Sequence, residues 1–359
     1  MSSSSTKNSR SESLNHKLYH VDLELQRSFN DSDRLLFSVE FPCENNDLEL
    51  LNKELSQWDI KHHVYWGFKA FYWIGFHGNL KMLEYIERFI KPGRIGHDFP
   101  RVVYNIDFAN FHYVVRGACT VNNMNMVNYV VDKEKNGNDK LDILGLAVKT
   151  LSKWGYLESI KKLLPRIIEL YNKDSDVVRY YEYRVDKDKV LERIYLISFE
   201  QACEGNQLDI IMYFNNILEN TCLYRFYNSI GKCAYYANLE VTKLIIHLAD
   251  EHGKCNQSFW NYGLSYVCYG IRKGGHNPIC EKKELDWTIK HNRDRIEICK
   301  IMLNNGANPN EGLSYFISCD KTSPILKILL DATKNEENNI TRVFAQGKPL
   351  TLERLWLFK

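Results

Sequence analysis

The sequence predicts an all-α fold, a solenoid of stacked helix–turn–helix units, and three observations carry that expectation. The first is a recurring pattern of two small or apolar residues, a polar turn with Gly or Asn, and a Leu that opens a second apolar segment. It is seen in GFHGNLKMLEYI (Gly75 to Ile86), ACEGNQLDIIMYF (Ala202 to Phe214) and CAYYANLEVTKLII (Cys233 to Ile246). The second is periodicity, since the apolar residues after the turn recur at helical spacing, as at Leu239, Val241, Leu244 and Ile245. The third is self-similarity at a period near 33 residues, which marks a repeat architecture.

Further copies extend the series through Ala118 to Val131, Leu151 to Leu164, Asn292 to Asn310 and Gly312 to Ala332. The Leu-equivalent anchors are Leu80, Met124, Leu157, Leu208, Leu239, Ile296 and Ser323. The intervals near one period are Met124 to Leu157 and Leu208 to Leu239; longer ones read as units carrying insertions. Gly-Leu-Ser-Tyr occurs at Gly263 to Tyr266 and again at Gly312 to Tyr315, farther from its anchor in the earlier copy. The excess places an insertion near residues 270–291, between the two helices of one unit.

Domain organisation follows. Residues 1–30 are polar and Ser-rich and are expected to be partly disordered. Residues 31–60 form an N-terminal capping unit or degenerate repeat, with Leu48 at the anchor and Pro42 weakening its first helix. Residues 61–333 hold about seven repeats, and residues 334–359 close the last one as a C-terminal cap.

This pattern resembles the ankyrin repeat, over Lys61 to Ala332. The best match is Ile296 to Asn310, where Asn304-Asn305-Gly306-Ala307-Asn308-Pro309 is similar to the family's helix stop and finger entry. Gly306 is expected to take the left-handed conformation past the helix end, and Pro309 to prevent continuation. The Thr-Pro-Leu-His opening is missing from every copy, so degenerate β-turn fingers are expected beside intact helix pairs. The Gly-Asn-Leu turns also resemble ankyrin-like proteins of large DNA viruses. The resemblance implies a scaffold or adaptor that binds a protein partner, host-directed and in the host cytoplasm or nucleus if viral.

Composition narrows the function classes. A net charge of +2 over 359 residues, with acidic and basic residues interspersed, disfavours nucleic acid as the partner. No apolar stretch reaches the length of a membrane span, and Met1 to Lys17 lacks the apolar core of a signal peptide. An intracellular, monomeric chain with free thiols is expected from its ten cysteines, which show no framework spacing. Cys119, Cys203, Cys233 and Cys268 fall at small-residue positions of first helices and should pack as small hydrophobes.

For catalysis, no nucleophile elbow, zinc-protease helix, phosphate-binding loop or dinucleotide fingerprint occurs, so neither an enzyme nor a cofactor is expected. A metal reading has one foothold. His252 and Cys255, with His276 and Cys280, have ligand types and pair spacings compatible with zinc, though without a Cys-x-x-Cys knuckle. Scattered surface residues are the plainer reading, so no metal site is assigned. A metal-assisted enzyme using these residues, and a virion or assembly structural protein, stand as alternative functions.

Six rings, Tyr65, Trp66, Phe68, Phe71, Tyr72 and Trp73, crowd one short helix that His62-His63 precedes. They cannot all face inward, so Trp66 and Tyr72 are predicted to be exposed partner-binding anchors. Arg272 and Lys273, in the flexible segment before Gly274-Gly275, read as a solvated loop tip and are the other expected partner contacts.

Overall fold

The computed structural model describes residues 40–56, 67–89, 106–135, 137–173, 179–180, 183–184, 187–218, 225–274, 285–315 and 323–337. The predicted N-terminal tail and most of the C-terminal cap lie outside them. The described residues are helices joined by tight turns, with one small hairpin, and residues 40–44 are helix ahead of the first labelled element. The first helices are α1 (Leu48–Ser56), α2 (Gly67–His77), α3 (Leu80–Phe89), α4 (Ile106–Thr120), α5 (Met124–Lys133), α6 (Gly137–Trp154) and α7 (Leu157–Lys173). The antiparallel strands β1 (Arg179–Tyr180) and β2 (Tyr183–Arg184) follow, with Tyr180 opposite Tyr183. Then come α8 (Lys187–Glu204), α9 (Leu208–Leu218), α10 (Arg225–Tyr235), α11 (Leu239–Glu251), α12 (Gln257–Gly274), α13 (Leu285–Asn304), α14 (Pro309–Leu313) and α15 (Pro324–Glu337).

The chain divides into two compact units, residues 1–194 and 195–359. In the first, α2 packs on α4 and α4 on α6, while α2–α3, α4–α5 and α6–α7 are antiparallel neighbours in sequence. In the second, α10, α12 and α14 form one row and α11, α13 and α15 another, with α12–α13 and α14–α15 joining the rows.

The pairs are closed by one recurring turn. Helices α1, α3, α5, α7, α9 and α11 begin at Leu48, Leu80, Met124, Leu157, Leu208 and Leu239, the predicted anchors and the Leu of the capping unit. Two residues earlier stand Asn46, Gly78, Asn122, Gly155, Asn206 and Ala237, all left-handed with φ from +56° to +87°. The residue between donates its N–H back to the last turn of the preceding helix. These bonds run from Asp47 to Pro42 (2.8 Å), Asn79 to Ile74 (3.2 Å), Asn123 to Ala118 (2.8 Å), Tyr156 to Leu151 (3.1 Å), Gln207 to Ala202 (2.9 Å) and Asn238 to Cys233 (2.9 Å). Such a closure satisfies carbonyls that a helix end otherwise leaves orphaned, and Gly and Asn tolerate its left-handed residue best.

Where the residue before the helix is Asp47, Asn79 or Asn123, its side-chain oxygen accepts from Leu50, Met82 or Met126 N–H at 2.9, 3.0 and 3.2 Å. That is N-capping, which offsets the donors left bare at a helix start. Neighbouring turns are also bonded to one another. Asn79 Nδ2 donates to Asn46 Oδ1 (2.8 Å), Ser159 Oγ to Asn122 Oδ1 (2.6 Å), and Asn238 Nδ2 to the carbonyls of Cys203 (2.8 Å) and Glu204 (3.0 Å).

Tight helix crossings depend on glycine. A Cβ on Gly75 would fall 1.9 Å from the Val114 carbonyl oxygen, and one on Gly117 would fall 1.9 Å from that of Tyr72. Helices α2 and α4 therefore meet backbone to backbone. Cys119, Cys203, Cys233 and Cys268 are buried, as their position in the repeat predicts.

The last third departs from the expected spacing. Ile296 does not open a helix but lies well inside α13, and both α12 and α13 are long and continuous. Much of the predicted insertion is therefore helix extension, with residues 275–284 outside the described set. Gly306 is left-handed at φ +93°, and Ala307 N–H closes onto Met302 at 3.0 Å, as expected of a helix stop. Pro309 begins the new helix α14 behind an Asn308 cap, where a finger was expected. A proline at the first helical position lacks a donor that would have gone unused anyway.

Candidate functional site

The second unit carries a groove of about 300 Å³ lined by Glu200, Asn228, Lys232, Tyr235, Tyr236, Tyr262, Tyr266 and Tyr269. Its walls come from three helices, each the first of its hairpin. Asn228, Lys232 and Tyr235 lie on α10 at positions i, i+4 and i+7, and Tyr262, Tyr266 and Tyr269 repeat that spacing on α12. This spacing puts three side chains on one helix face. Glu200 comes from α8, one turn before Glu204.

Glycines bring the walls together. A Cβ on Gly231 of α10 would lie 2.6 Å from the Tyr262 ring, and one on Gly270 of α12 would lie 2.5 Å from the Tyr235 carbonyl oxygen. Arg295, from α13, donates to that same Tyr235 oxygen at 2.9 Å and so ties the end of α10 to the second row. Burial lowers the pKa of this guanidinium, with Tyr235 and Cys268 acting in the opposite direction.

The rings form a continuous series. Ring centres are 4.8 Å apart for Tyr235–Tyr236, 5.7 Å for Tyr235–Tyr269, 6.2 Å for Tyr266–Tyr269 and 4.7 Å for Tyr262–Tyr266. Tyr315 extends it, edge-on to Tyr269 at 5.9 Å. Most of these contacts are tilted or edge-to-face, the geometry that the ring quadrupole favours. Tyr262 donates its hydroxyl to Tyr266 at 3.2 Å. Partial burial first, then that hydrogen bond and the nearby Tyr266, Glu200 and Tyr315, hold the Tyr262 phenol well above its usual pKa, so it stays neutral.

Charge in the groove is unequally matched. Lys232 Nζ faces Glu204 Oε2 at 3.5 Å, and the Glu204 side chain is 5% exposed. Glu200 Oε1 instead accepts from the Asn228 amide at 2.9 Å. Among the described residues it meets an amide and no cation.

The residues predicted from sequence are placed differently. Tyr72 is not an exposed anchor. It is 3% exposed, stacked near Phe76, with its hydroxyl on Thr120 Oγ1 at 3.3 Å, because α4 covers that side of α2. Trp66 lies outside the described residues. Arg272 and Lys273 belong to the last turn of α12 rather than to a loop, and their side chains lie outside the described set.

Of the metal candidates, His252 stacks on Phe226 with ring centres 5.4 Å apart, and Cys255 Sγ contacts the Ile246 carbonyl at 3.5 Å. Burial, with Asp250 nearby, pushes the Cys255 thiol up to about 11, which disfavours the thiolate that ligation needs. His276 and Cys280 lie outside the described residues. Among those described, no group of three or more His, Cys, Asp or Glu could hold a metal ion, and no helix is long and apolar enough to cross a membrane.

The tyrosine groove was missed in the sequence although a signal for it exists, namely Tyr262, Tyr266 and Tyr269 at helical spacing. That pattern reads equally as core packing until the facing stripe on α10 is known. The chain matches no family model, no curated protein and no solved structure.

Proposed function

We propose that the chain is a diverged ankyrin-like repeat scaffold that acts inside the cell by binding another protein, without catalysis. The supporting observation is the open tyrosine groove built across α8, α10 and α12, the first helices of three consecutive hairpins. A surface assembled from equivalent faces of neighbouring units is what repeat proteins use for recognition. Half-exposed tyrosines on rigid helices also suit the task, since they present large amphipathic area with few torsions to freeze. The recurring turn and the hairpin β1–β2, which sits between successive helix pairs, agree with this reading.

The test is capture of partners from cells by the full chain, followed by reconstitution of the complex from purified components. Tyr235→Ala and Tyr266→Ala are each expected to weaken that complex by about 2 kcal/mol, the scale of an interface anchor. Melting of each variant is measured alongside. A reconstituted complex indifferent to both changes, in variants that still melt cooperatively, refutes the assignment of the groove as the binding face.

A further inference from the structure

We propose that the groove takes an arginine side chain presented by the partner polypeptide. This rests on the protein-binding reading above and deepens it by naming the recognised group. Two observations on the groove point the same way. Its walls are phenol rings, whose faces carry partial negative charge and attract cations. Its one lining carboxylate, Glu200, is held by the neutral Asn228 amide, while the positive charge of Lys232 is matched by Glu204. Glu200 is thus the lining charge that meets no cation among the described residues, and a ligand cation would balance it.

Guanidinium suits this site better than ammonium. It is the more weakly hydrated cation, so moving it among rings costs less, and its planar fork can stack on a ring while donating to a carboxylate edge. The Asn228 bond fixes Glu200 in place before any ligand arrives, which reduces the ordering cost of such a contact. Acceptors for the remaining guanidinium N–H groups are at hand in the hydroxyls of Tyr262 and Tyr266, already joined at 3.2 Å.

The probe is a nine-residue Gly/Ser peptide with one central arginine, titrated calorimetrically into the full chain at low salt. Matched peptides carry citrulline or lysine at that position. Citrulline keeps the shape and removes the charge. The arginine peptide is expected to bind at least about tenfold tighter than the citrulline peptide, the scale of a hydrogen bond to a charged group. It should also bind more tightly than the lysine peptide and weaken as salt is raised. Glu200→Gln should abolish that preference without changing the melting temperature.

Equal binding of the arginine and citrulline peptides, or no saturable binding of either, overturns the proposal. So does a stronger response to lysine. The two readings are separable. If Glu200→Gln still forms the reconstituted partner complex at full strength while Tyr266→Ala does not, the groove binds protein but the arginine assignment is wrong.

Discussion

Replacing Gly117 with Ala tests how tightly the first unit is built. The added Cβ would stand 1.9 Å from the Tyr72 carbonyl oxygen, with Phe76 N at 2.7 Å. Both are backbone atoms of α2, so no side chain can rotate away. Restoring an ordinary contact of ~3.5 Å requires α2 and α4 to part by about 1.6 Å. Overpacking of this kind costs about 1–3 kcal/mol. Separation would also stretch the Tyr72–Thr120 hydrogen bond, already 3.3 Å long, and its loss adds about 1 kcal/mol. Against these stands a gain of about 1 kcal/mol, because Ala is the better helix former. The net expectation is a destabilisation of about 1–3 kcal/mol.

Urea unfolding followed by far-UV circular dichroism measures it. Gly253→Ala is the control, since that residue is left-handed at φ +63° but its Cβ would meet nothing within 4 Å. It should cost only the left-handed penalty, about 1 kcal/mol. A Gly117→Ala protein as stable as the wild type, or more so, would refute the backbone-to-backbone contact and with it the described α2–α4 packing.

Two further outcomes follow from the turns and the core. Asn238→Ala removes both amide bonds to the Cys203 and Glu204 carbonyls and should cost about 1–3 kcal/mol in urea unfolding, whereas Asn238→Asp, which keeps the size but loses the donor, should not rescue it. Asp142 of α6 is 6% exposed, and burial, with Asp139 adding to it, pushes its carboxyl up to about 8. The folded state then holds a proton that the unfolded chain releases near 3.8, so this group's stabilisation is complete below that pH and is lost as pH rises toward 8. Asp142→Asn should match the wild type near pH 4 and exceed it at pH 8 by a few kcal/mol, at about 1.4 kcal/mol per pH unit across that window. Parallel pH–stability curves for the two proteins would contradict the burial of this carboxyl.

The legible part of the fold was the part set by local backbone chemistry. Leu80, Leu157 and Leu208 could be identified as helix starts because Gly78, Gly155 or Asn206 stands two residues before each, and the left-handed turn needs only its own hairpin to form. The same logic failed at Ile296. The residue two positions before it is Asp294, not Gly or Asn, and helical spacing runs through it unbroken, so the structure keeps α13 continuous.

The binding face was not legible, because it depends on which faces of distant helices meet. On α2 the rings were rightly seen as too many for one side, but α4 crosses so closely over Gly75 and Gly117 that Tyr72 is covered. The tyrosines of α12 face the groove only because Gly231 and Gly270 let α10 come near. Neither pairing can be read from one segment at a time.

The closure at each hairpin joint has a consequence for how the molecule tolerates change. The backbone bonds that close each joint lie within a few residues of Asn46, Gly78, Asn122, Gly155, Asn206 or Ala237, so residues gained or lost elsewhere need not disturb them. The long α12 and α13 illustrate this: extra residues became added helical turns, while Gly306 still ends α13 with the same backbone geometry. Foreign peptide epitopes spliced between α12 and α13 should therefore be carried without register errors in the helices on either side.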